Sequence, residues 1–346
     1  MTQTWGFRGR IAGTALGLAL AAATLPGGAA EAQTELRLHT FVGPSHIIYR
    51  EILEPFAAQV AEETNGEVTI SLFPSMQLGG SAAELIRQTS DGTVDMTFSL
   101  PGYTSAQFPR TQMLELPGLA EDGVAATELM WELLEGGYLG PEFDGLRVIA
   151  LWAADDAGLY TRDRPIRGLD DISGMILRSP SAGQADQLAA MGATPVAMPI
   201  TELYPQLERG VIDGAMVPFT TILDFRMYEV ANYFTISGPV FGRSQFVVVM
   251  NESAFERLSP EHQEVIANAS GIELSRRATQ AYLDRAAESI EFARNQPGKE
   301  VIELSEEEQA RILETLNPII ANWVSDMEAQ GIDGRAMLAV AGVEID

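Results

Sequence analysis

The chain has 346 residues, and its 48 Asp and Glu residues against 22 Lys and Arg residues give a formal net charge of −26 at pH 7. A negative charge of this size repels phosphate backbones and anionic lipid headgroups, which argues against binding to nucleic acid or to a membrane surface. The sequence contains no cysteine, so disulfide bonds and thiol chemistry are excluded.

The N-terminal segment has the layout of a secretory signal peptide. Arg8 and Arg10 precede an apolar run over residues 11–25, and the small-residue sequence Ala-Glu-Ala follows at residues 30–32. The apolar run is too short to span a bilayer comfortably, so we expect cleavage near Ala32 and export to the periplasm, with no membrane insertion afterwards. The mature chain is long enough to predict two domains, with a cleft between them.

The first part of the mature chain alternates strand and helix patterns. Residues 36–41 and 68–72 alternate apolar with polar side chains as half-buried strands do, and apolar residues recur at helical spacing between 48 and 60. A capping box at residues 81–84 starts the next helix, and residues 94–98 follow as a third strand. This β-α-β-α-β order predicts a largely parallel sheet covered by helices.

The same alternation restarts in the second half of the chain. The predicted elements there are strands at 146–152 and 174–178, a helix opening at 181–184, a strand at 194–198, a helix from 201 to 210, and strands at 211–217 and 246–250. The remainder is mostly helical, with capping boxes predicted at 253–256 and 305–308. The sequence therefore predicts two α/β units.

Sequence signatures of enzyme chemistry are weak. The three histidines are far apart, none belongs to an H-E-x-x-H pattern, and no G-x-S-x-G, P-loop or G-x-G-x-x-G signature is present. His39 and His46 lie near the end of the first strand, where an α/β cleft opens, although a surface or helix-start role explains each more simply. The acidic runs at 62–63 and 306–308 fit solvated helix faces better than a calcium site. We expect no enzyme activity, no metal and no cofactor.

A set of short segments resembles the solute receptors of the TRAP (tripartite ATP-independent periplasmic) transporters. One such segment would be weak evidence, but the set follows the family's order over nearly the whole mature chain. The segments lie at residues 64–68, 72–80, 91–95, 114–117, 164–166, 170–174, 177–180, 191–199, 210–214 and 250–252.

This resemblance implies a periplasmic-binding-protein-like fold, in which two α/β domains are joined by hinge strands, a long helix braces both, and a central cleft closes over the ligand. Each domain of that family is discontinuous in sequence. Carried over to this chain, the first domain comprises residues 34–156 and 244–283. The second comprises 157–243 and 284–346, and residues 1–32 form the signal peptide.

Arg178 matches the family arginine that forms an ion pair with the ligand carboxylate. The chemistry suits the role, because a guanidinium offers a rigid fork of donors to a carboxylate and stays charged when desolvated. Without the resemblance, an arginine that ends a strand is more often part of a surface or domain-stabilising ion pair.

Departures from the family pattern predict the character of the ligand. Sialic-acid-binding relatives carry polar residues at places that align here with Phe41, Leu100, Gly158 and Val217. Relatives specific for oxo acids have a Glu-Trp pair where this chain has Met216 followed by Val217, so the metal-assisted mode of those relatives is not expected. One charged anchor with apolar walls suits a monocarboxylate with a hydrophobic or aromatic body.

The candidate ligand-binding residues beside Arg178 are mostly apolar. Phe241 is a further possibility, and Arg243 could supply a second cation for a dicarboxylate if its loop faces the cleft. The candidates are Phe41, His46, Ser99, Leu100, Trp152, Gly158, Ser181, Met216, Val217, Phe219 and Arg243.

The sequence thus predicts a periplasmic binding receptor for a small organic acid, whose closed form docks on TRAP permease subunits in the membrane. Two alternatives remain at this point. The same fold can present its ligand to a membrane sensor kinase, and a binding-protein scaffold can carry a periplasmic enzyme.

Overall fold

A computed structural model describes residues 33–344 together with Gly6. The predicted signal peptide and its cleavage point lie outside the described residues. Among the described residues, no helix combines the length and the apolar character that crossing a bilayer requires.

Eleven strands belong to the described part of the chain. They are β1 (Thr34–Thr40), β2 (Val68–Phe73), β3 (Met96–Ser99), β4 (Leu146–Ala153), β5 (Ala157–Thr161), β6 (Ile176–Ser179), β7 (Thr194–Ala197), β8 (Gly214–Pro218), β9 (Tyr233–Ile236), β10 (Gln245–Asn251) and β11 (Glu300–Glu303).

Helices cover both sheets and make up most of the C-terminal part. The α-helices are α1 (Glu54–Glu63), α2 (Leu85–Ser90), α3 (Gly123–Glu135), α4 (Ala182–Ala190), α5 (Ile200–Arg209), α6 (Thr221–Asp224), α7 (Glu252–Glu256), α8 (Pro260–Ala269), α9 (Ile272–Arg294), α10 (Glu306–Leu316), α11 (Pro318–Ala329) and α12 (Gly334–Val340). A π-helical turn precedes α1 at Tyr49–Leu53, and short 3-10 helices lie at Ala82–Glu84, Pro101–Gln107, Thr111–Glu115, Gly140–Phe143, Leu169–Asp171 and Met227–Glu229.

The strands form two sheets, which confirms the predicted α/β class. The first has the order β2-β1-β3-β10-β4, in which β1 pairs in parallel with β2 and β3 while β10 runs antiparallel to β3 and β4. The second has the order β11-β9-β5-β8-β6-β7, with β5 antiparallel to β8 and β9. The first β-α-β-α-β run thus builds the parallel side of one sheet.

Two chain crossings and one long helix connect the sheets. Residues 154–156 lead from β4 to β5, and residues 237–244 lead back from β9 to β10. The 23-residue helix α9 packs on α3 and β4 of the first sheet and also on α6 and β11 of the second. A long bracing helix is therefore present as predicted, whereas the domain boundaries stay a prediction.

Local capping explains where several helices begin. Ser81 and Glu84 form the predicted capping box, and Ser181 accepts from the backbone N–H of Gln184 at the start of α4. The capping box predicted at 253–256 is wrong, because Asn251 caps α7 by accepting from the N–H of Ala254. The strand predicted at 211–217 begins only at Gly214, since the left-handed Gly210 ends α5 and a turn follows.

Candidate functional site

A cavity of about 30 Å³ lies where strands of both sheets end. Its walls come from the segments after β1, β3, β6 and β8 and from the start of the antiparallel β10. Carboxyl ends of parallel strands are the usual place for ligand sites in α/β folds. The lining residues are Phe41, His46, Leu100, Tyr103, Arg178, Pro180, Ile200, Pro218, Thr220, Thr221, Phe225, Ser244, Phe246 and Tyr282.

Arg178 is the buried cation of this cavity, with only 2% of its surface exposed. Its Nε donates to the carbonyl oxygen of Met198 at 2.9 Å and its Nη1 to that of Met216 at 3.3 Å. Burial lowers the pKa of Arg178, and the nearby Tyr103 partly opposes this. Among the described residues, no carboxylate forms an ion pair with Arg178, so the two carbonyl dipoles hold its fork in place without neutralising its charge.

Seven aromatic side chains beside the cavity contact one another in a closed series, here called the aromatic circuit. Neighbouring centroids in it are 5.1–6.4 Å apart, and both stacked and edge-on pairs occur. Five of its seven members line the cavity directly. In order around the circuit, the members are Phe41, Phe98, Trp152, Phe246, Tyr282, His46 and Phe225.

His46 is the polar residue of the aromatic circuit and is 3% exposed. Burial lowers its pKa to about 4, against the opposing charge of Asp224, while Arg285 adds to the lowering. The backbone N–H of Ile48 donates to Nδ1 at 3.1 Å. The imidazole is therefore neutral at pH 7, with Nδ1 as an acceptor.

Asp224 ties the His46 segment to the second sheet and to α9. Its carboxylate accepts from the backbone N–H of Ile47 at 2.9 Å and from Nε of Arg285 at 2.7 Å, and its side chain is fully buried. Because the segment after β1, α6 and α9 each supply one of these groups, this contact holds the two walls of the cavity together.

Asp155 lies in the first chain crossing and fixes the segment that follows β8. Its carboxylate accepts from the N–H of Phe219 at 2.5 Å and from the hydroxyl of Thr220 at 3.0 Å. Burial nevertheless raises its pKa to about 7, since these hydrogen bonds only partly offset the loss of water. The crossing thereby positions Thr220, which lines the cavity.

Four of the residues predicted from sequence meet at the cavity: Phe41, His46, Leu100 and Arg178. Two further ones lie directly behind its wall. Trp152 belongs to the aromatic circuit and stacks on Phe98, with ring centroids 5.3 Å apart. The carbonyl oxygen of Met216 accepts a hydrogen bond from Arg178.

The other predicted residues are not among those that line the cavity, and their ligand contact stays a prediction. Gly158 gives room to Phe219, because a Cβ there would lie 2.3 Å from the phenylalanine ring. Val217 pairs with Gly158 in the sheet, and the hydroxyl of Ser99 donates to the carbonyl of Ala82 at 3.4 Å. Phe241 packs in a separate apolar cluster with Leu159 and Met216.

Arg243 is also buried, but away from the cavity wall. Its Nη1 donates to the carbonyl of Ala120 at 2.7 Å, and its Nη2 donates to the carbonyl of Glu121 at 3.0 Å and to the carboxylate of Asp156. These partners join the loop before α3 to both chain crossings. Arg243 therefore has a structural function in this conformation, and its predicted role as a second ligand cation stays a prediction.

Several residues that line the cavity were not predicted from the sequence. Tyr103 lies in an irregular 3-10 helix, and Phe225 follows the four-residue helix α6, so neither belongs to a periodic pattern. Tyr282 lies on α9, whose cavity-facing side depends on tertiary packing. Thr220 and Thr221 had a usable signal, because they directly follow Phe219 at the end of a predicted strand.

A second feature near the cavity is the carboxyl group of Glu115, which is 1% exposed. Its Oε2 accepts from the hydroxyl of Ser181 at 2.6 Å, and its Oε1 has no partner among the described residues. Burial raises its pKa to about 8. Glu115 lies beside a groove of about 880 Å³ that also contains Asp186 and Asp326. Ser181 thereby joins α4 to the segment before α3, and its predicted ligand contact stays a prediction.

No group of three or more His, Asp or Glu side chains within residues 33–344 is arranged to hold a metal ion. The chemistry on offer at the cavity is therefore one buried cation, one neutral imidazole, a few hydroxyls and an aromatic wall. Such a set matches an anion with an apolar body in its chemistry. The cavity of about 30 Å³ has room for little more than a water molecule in this conformation.

Comparison with known sequences places the chain in a family. The family described as bacterial extracellular solute-binding protein, family 7, matches residues 38–326. An uncharacterized protein of Sinorhizobium fredii, y4mM, is 31% identical over 260 residues, which are 73% of this chain and 46% of that protein. The match thus spans about half the length of this relative.

Two solved structures resemble the whole fold. A TRAP solute-binding protein from Rhodoferax ferrireducens, in complex with copurified benzoate, has a TM-score of 0.85 and 28% identity, covering 89% of this chain and 96% of that chain. A TRAP periplasmic solute-binding protein from Bordetella bronchiseptica, with bound (R)- and (S)-mandelate, has a TM-score of 0.82 and 26% identity, covering 89% and 97%.

Proposed function

Because the chain belongs to the bacterial extracellular solute-binding proteins of family 7, the TRAP receptors, we propose that it binds an aromatic or hydrophobic monocarboxylate through Arg178. In this proposal the loaded receptor delivers the acid to TRAP permease subunits in the membrane. Export with cleavage of the signal peptide near Ala32 is part of the same proposal.

The observation that carries the proposal is the buried guanidinium of Arg178, which has no carboxylate partner among the described residues. A desolvated cation without a counter-ion is costly, and a bound carboxylate would neutralise it. The planar fork also matches the two oxygens of a carboxylate.

The aromatic circuit favours a ligand with an apolar body. Burying apolar ligand surface stabilises the complex by about 25 cal/mol per Å², and aromatic pairs add roughly 0.5–1.5 kcal/mol. A sugar acid would instead place several hydroxyls against these rings, at roughly 1–3 kcal/mol for each one left unpaired. Two structural relatives are described with benzoate and mandelate, which have this aromatic character.

Calorimetric titration of the purified mature protein tests the proposal. We expect benzoate or a related aromatic acid to bind most tightly, succinate as a short dicarboxylate to bind more weakly, and glucuronate to bind least. Tightest binding of glucuronate would contradict an apolar ligand, and binding of none of these acids would remove the basis of the proposal.

Closure of the cleft accompanies binding in this proposal, because the cavity walls come from both sheets and a ligand that contacts both favours the closed state. Small-angle scattering should show a smaller radius of gyration when ligand saturates an open receptor. An unchanged profile counts against closure once a receptor that is already closed without ligand has been excluded by its absolute radius.

Two other functions are compatible with the fold. A receptor for a membrane sensor kinase would bind the same acid, and only loss of uptake after deletion of permease genes separates delivery from sensing. An enzyme on this scaffold would convert its ligand, so product analysis after prolonged incubation with benzoate should recover benzoate unchanged.

A further inference from the structure

The cavity has a second polar end, at His46. Arg178 acts electrostatically on Tyr103, which packs edge-on against Phe41 at 5.8 Å, and Phe41 stacks on Phe225 at 6.4 Å. Phe225 in turn lies edge-on to His46 at 5.4 Å. Arg178 and His46 are thus linked through three intervening aromatic side chains, and no direct contact between them occurs among the described residues. In agreement, the charges that act on His46 are those of Asp224 and Arg285.

The hydrogen bond from the backbone fixes which ring nitrogen carries the proton. The N–H of Ile48 donates to Nδ1 at 3.1 Å, so the neutral imidazole holds its hydrogen on Nε2. No residue between 33 and 344 accepts a hydrogen bond from Nε2, although His46 is 3% exposed and lines the cavity. Unlike the fully buried polar atoms that lack a partner, Nε2 keeps some access to the cavity, so water can pair with it until a ligand takes that place. A ligand that displaces this water without offering an acceptor leaves the donor unpaired, which is destabilising.

We propose that Nε2–H of His46 donates to an oxygen at the end of the ligand opposite its carboxylate. This inference rests on the proposed function and narrows it. The ligand class becomes aromatic acids that carry a hydroxyl or carbonyl oxygen on the far side of the ring. An unsubstituted acid leaves the donor unpaired, which lowers affinity by roughly tenfold.

Calorimetric titration at pH 7 with benzoate, 3-hydroxybenzoate and 4-hydroxybenzoate tests the inference. We expect one hydroxybenzoate to bind about tenfold more tightly than benzoate to the wild-type protein. In His46→Asn, whose side-chain oxygen can replace Nδ1 but which lacks a donor at Nε2, this advantage should vanish. In His46→Gln, whose amide nitrogen reaches the Nε2 position, much of it should return.

The outcomes separate this inference from the function on which it rests. Equal affinity for all three acids, or an advantage that survives in His46→Asn, overturns the role of His46 while leaving the Arg178 proposal intact. No binding of any of the three acids to wild type counts against the proposed function itself.

A measurement on the wild-type protein covers the case in which the variants do not fold. Nitrogen-15 labelling of histidine allows the Nε2–H signal of His46 to be followed by NMR. We expect 4-hydroxybenzoate or 3-hydroxybenzoate to shift this signal and slow its exchange with water. A signal that responds identically to benzoate contradicts the proposed hydrogen bond.

Discussion

Arg178 and Arg243 are both buried, at 2% and 3% exposure, yet their surroundings differ. Arg243 donates to two backbone carbonyls and also pairs with the carboxylate of Asp156. Arg178 donates to two backbone carbonyls and has no ion-pair partner in the described chain. One guanidinium is neutralised within the fold, and the other retains a charge that faces a cavity.

In the proposed function, this contrast is what distinguishes the ligand-binding arginine from the structural one. Burial and position near a strand end are alike in the two, so neither property decides the role. The role depends on where the counter-charge lies, because a fold that buries a cation without pairing it is stabilised by an anion that binds there.

The largest expected effect is on ligand affinity in Arg178→Ala. Removing one partner of a desolvated charge pair costs about 2–5 kcal/mol, so the affinity for benzoate should fall roughly thirtyfold or more. The unliganded protein should still fold, because no protein carboxylate loses its partner, but the carbonyls of Met198 and Met216 lose their donor, which should lower the free energy of unfolding by about 2 kcal/mol. Calorimetry together with thermal unfolding checks both parts.

Arg178→Lys is the matched control for this prediction. A lysine keeps the charge but lacks the planar fork, so we expect it not to restore wild-type affinity. Unchanged affinity in Arg178→Ala would show that the ligand carboxylate is bound elsewhere.

The next effect is on stability in Arg243→Ala. This change leaves the part-buried carbonyls of Ala120 and Glu121 without their donor, which should lower the free energy of unfolding by about 1–2 kcal/mol. The pair with the half-exposed Asp156 adds little because water screens it. Thermal unfolding without ligand should show the loss, whereas benzoate affinity should fall less than in Arg178→Ala. A larger loss of benzoate affinity in Arg243→Ala than in Arg178→Ala would contradict the distinction between the two arginines.

A smaller effect concerns pH and the buried carboxyl of Glu115, next to the loop that Arg243 holds. Its folded pKa of about 8 lies above its ordinary 4.5, so between these values the native state binds more protons than the unfolded state. The contribution of Glu115 to stability is therefore complete below about pH 4.5 and is lost as the pH rises towards 8.

Glu115→Gln, which stays neutral, should unfold with a flatter dependence on pH across this window. Some dependence should remain, because Asp155 has a folded pKa of about 7 and acts in the same direction. Unfolding by denaturant at several pH values measures the difference. Parallel curves for wild type and Glu115→Gln would mean that Glu115 is ionised in the fold.

The smallest expected effect is at the exposed Arg87, which pairs with Glu84 and Asp91 on the surface. Solvent screens such pairs, so Arg87→Ala should change neither the melting temperature nor benzoate affinity measurably. It serves as the reference for loss of an arginine as such. A clear loss of affinity here would indicate a general effect of net charge.

Elements of the fold with a local signal could be predicted from sequence. The first half of β1 alternates because Glu35 and Arg37 are exposed while Leu36 and Leu38 are buried, and the start of α4 follows from Ser181 as its cap. β5 escaped prediction because all five of its residues are buried, so no alternation marks it. β9 was likewise not predicted from the sequence.

Some residues of the site could likewise be predicted from the sequence, and others could not. Arg178 could be predicted because it lies in a segment that resembles a family motif and ends a strand. Tyr103 and Tyr282 could not, since an irregular turn and one side of a long helix reach the cavity only through tertiary packing. The role of Arg243 depended on Asp156, a partner that no spacing in the sequence specifies.

The position of β10 between β3 and β4 has a consequence for how the chain folds during synthesis. β10 pairs with both neighbours, but it is made only after all the strands from β5 to β9 of the other sheet. Until Gln245 has been made, the edges of β3 and β4 lack the strand that joins them, and unpaired edges promote aggregation. Pairing across so long a stretch of sequence also slows folding. Completion of the first sheet is thus a late step, and incomplete chains are the forms most prone to misassembly.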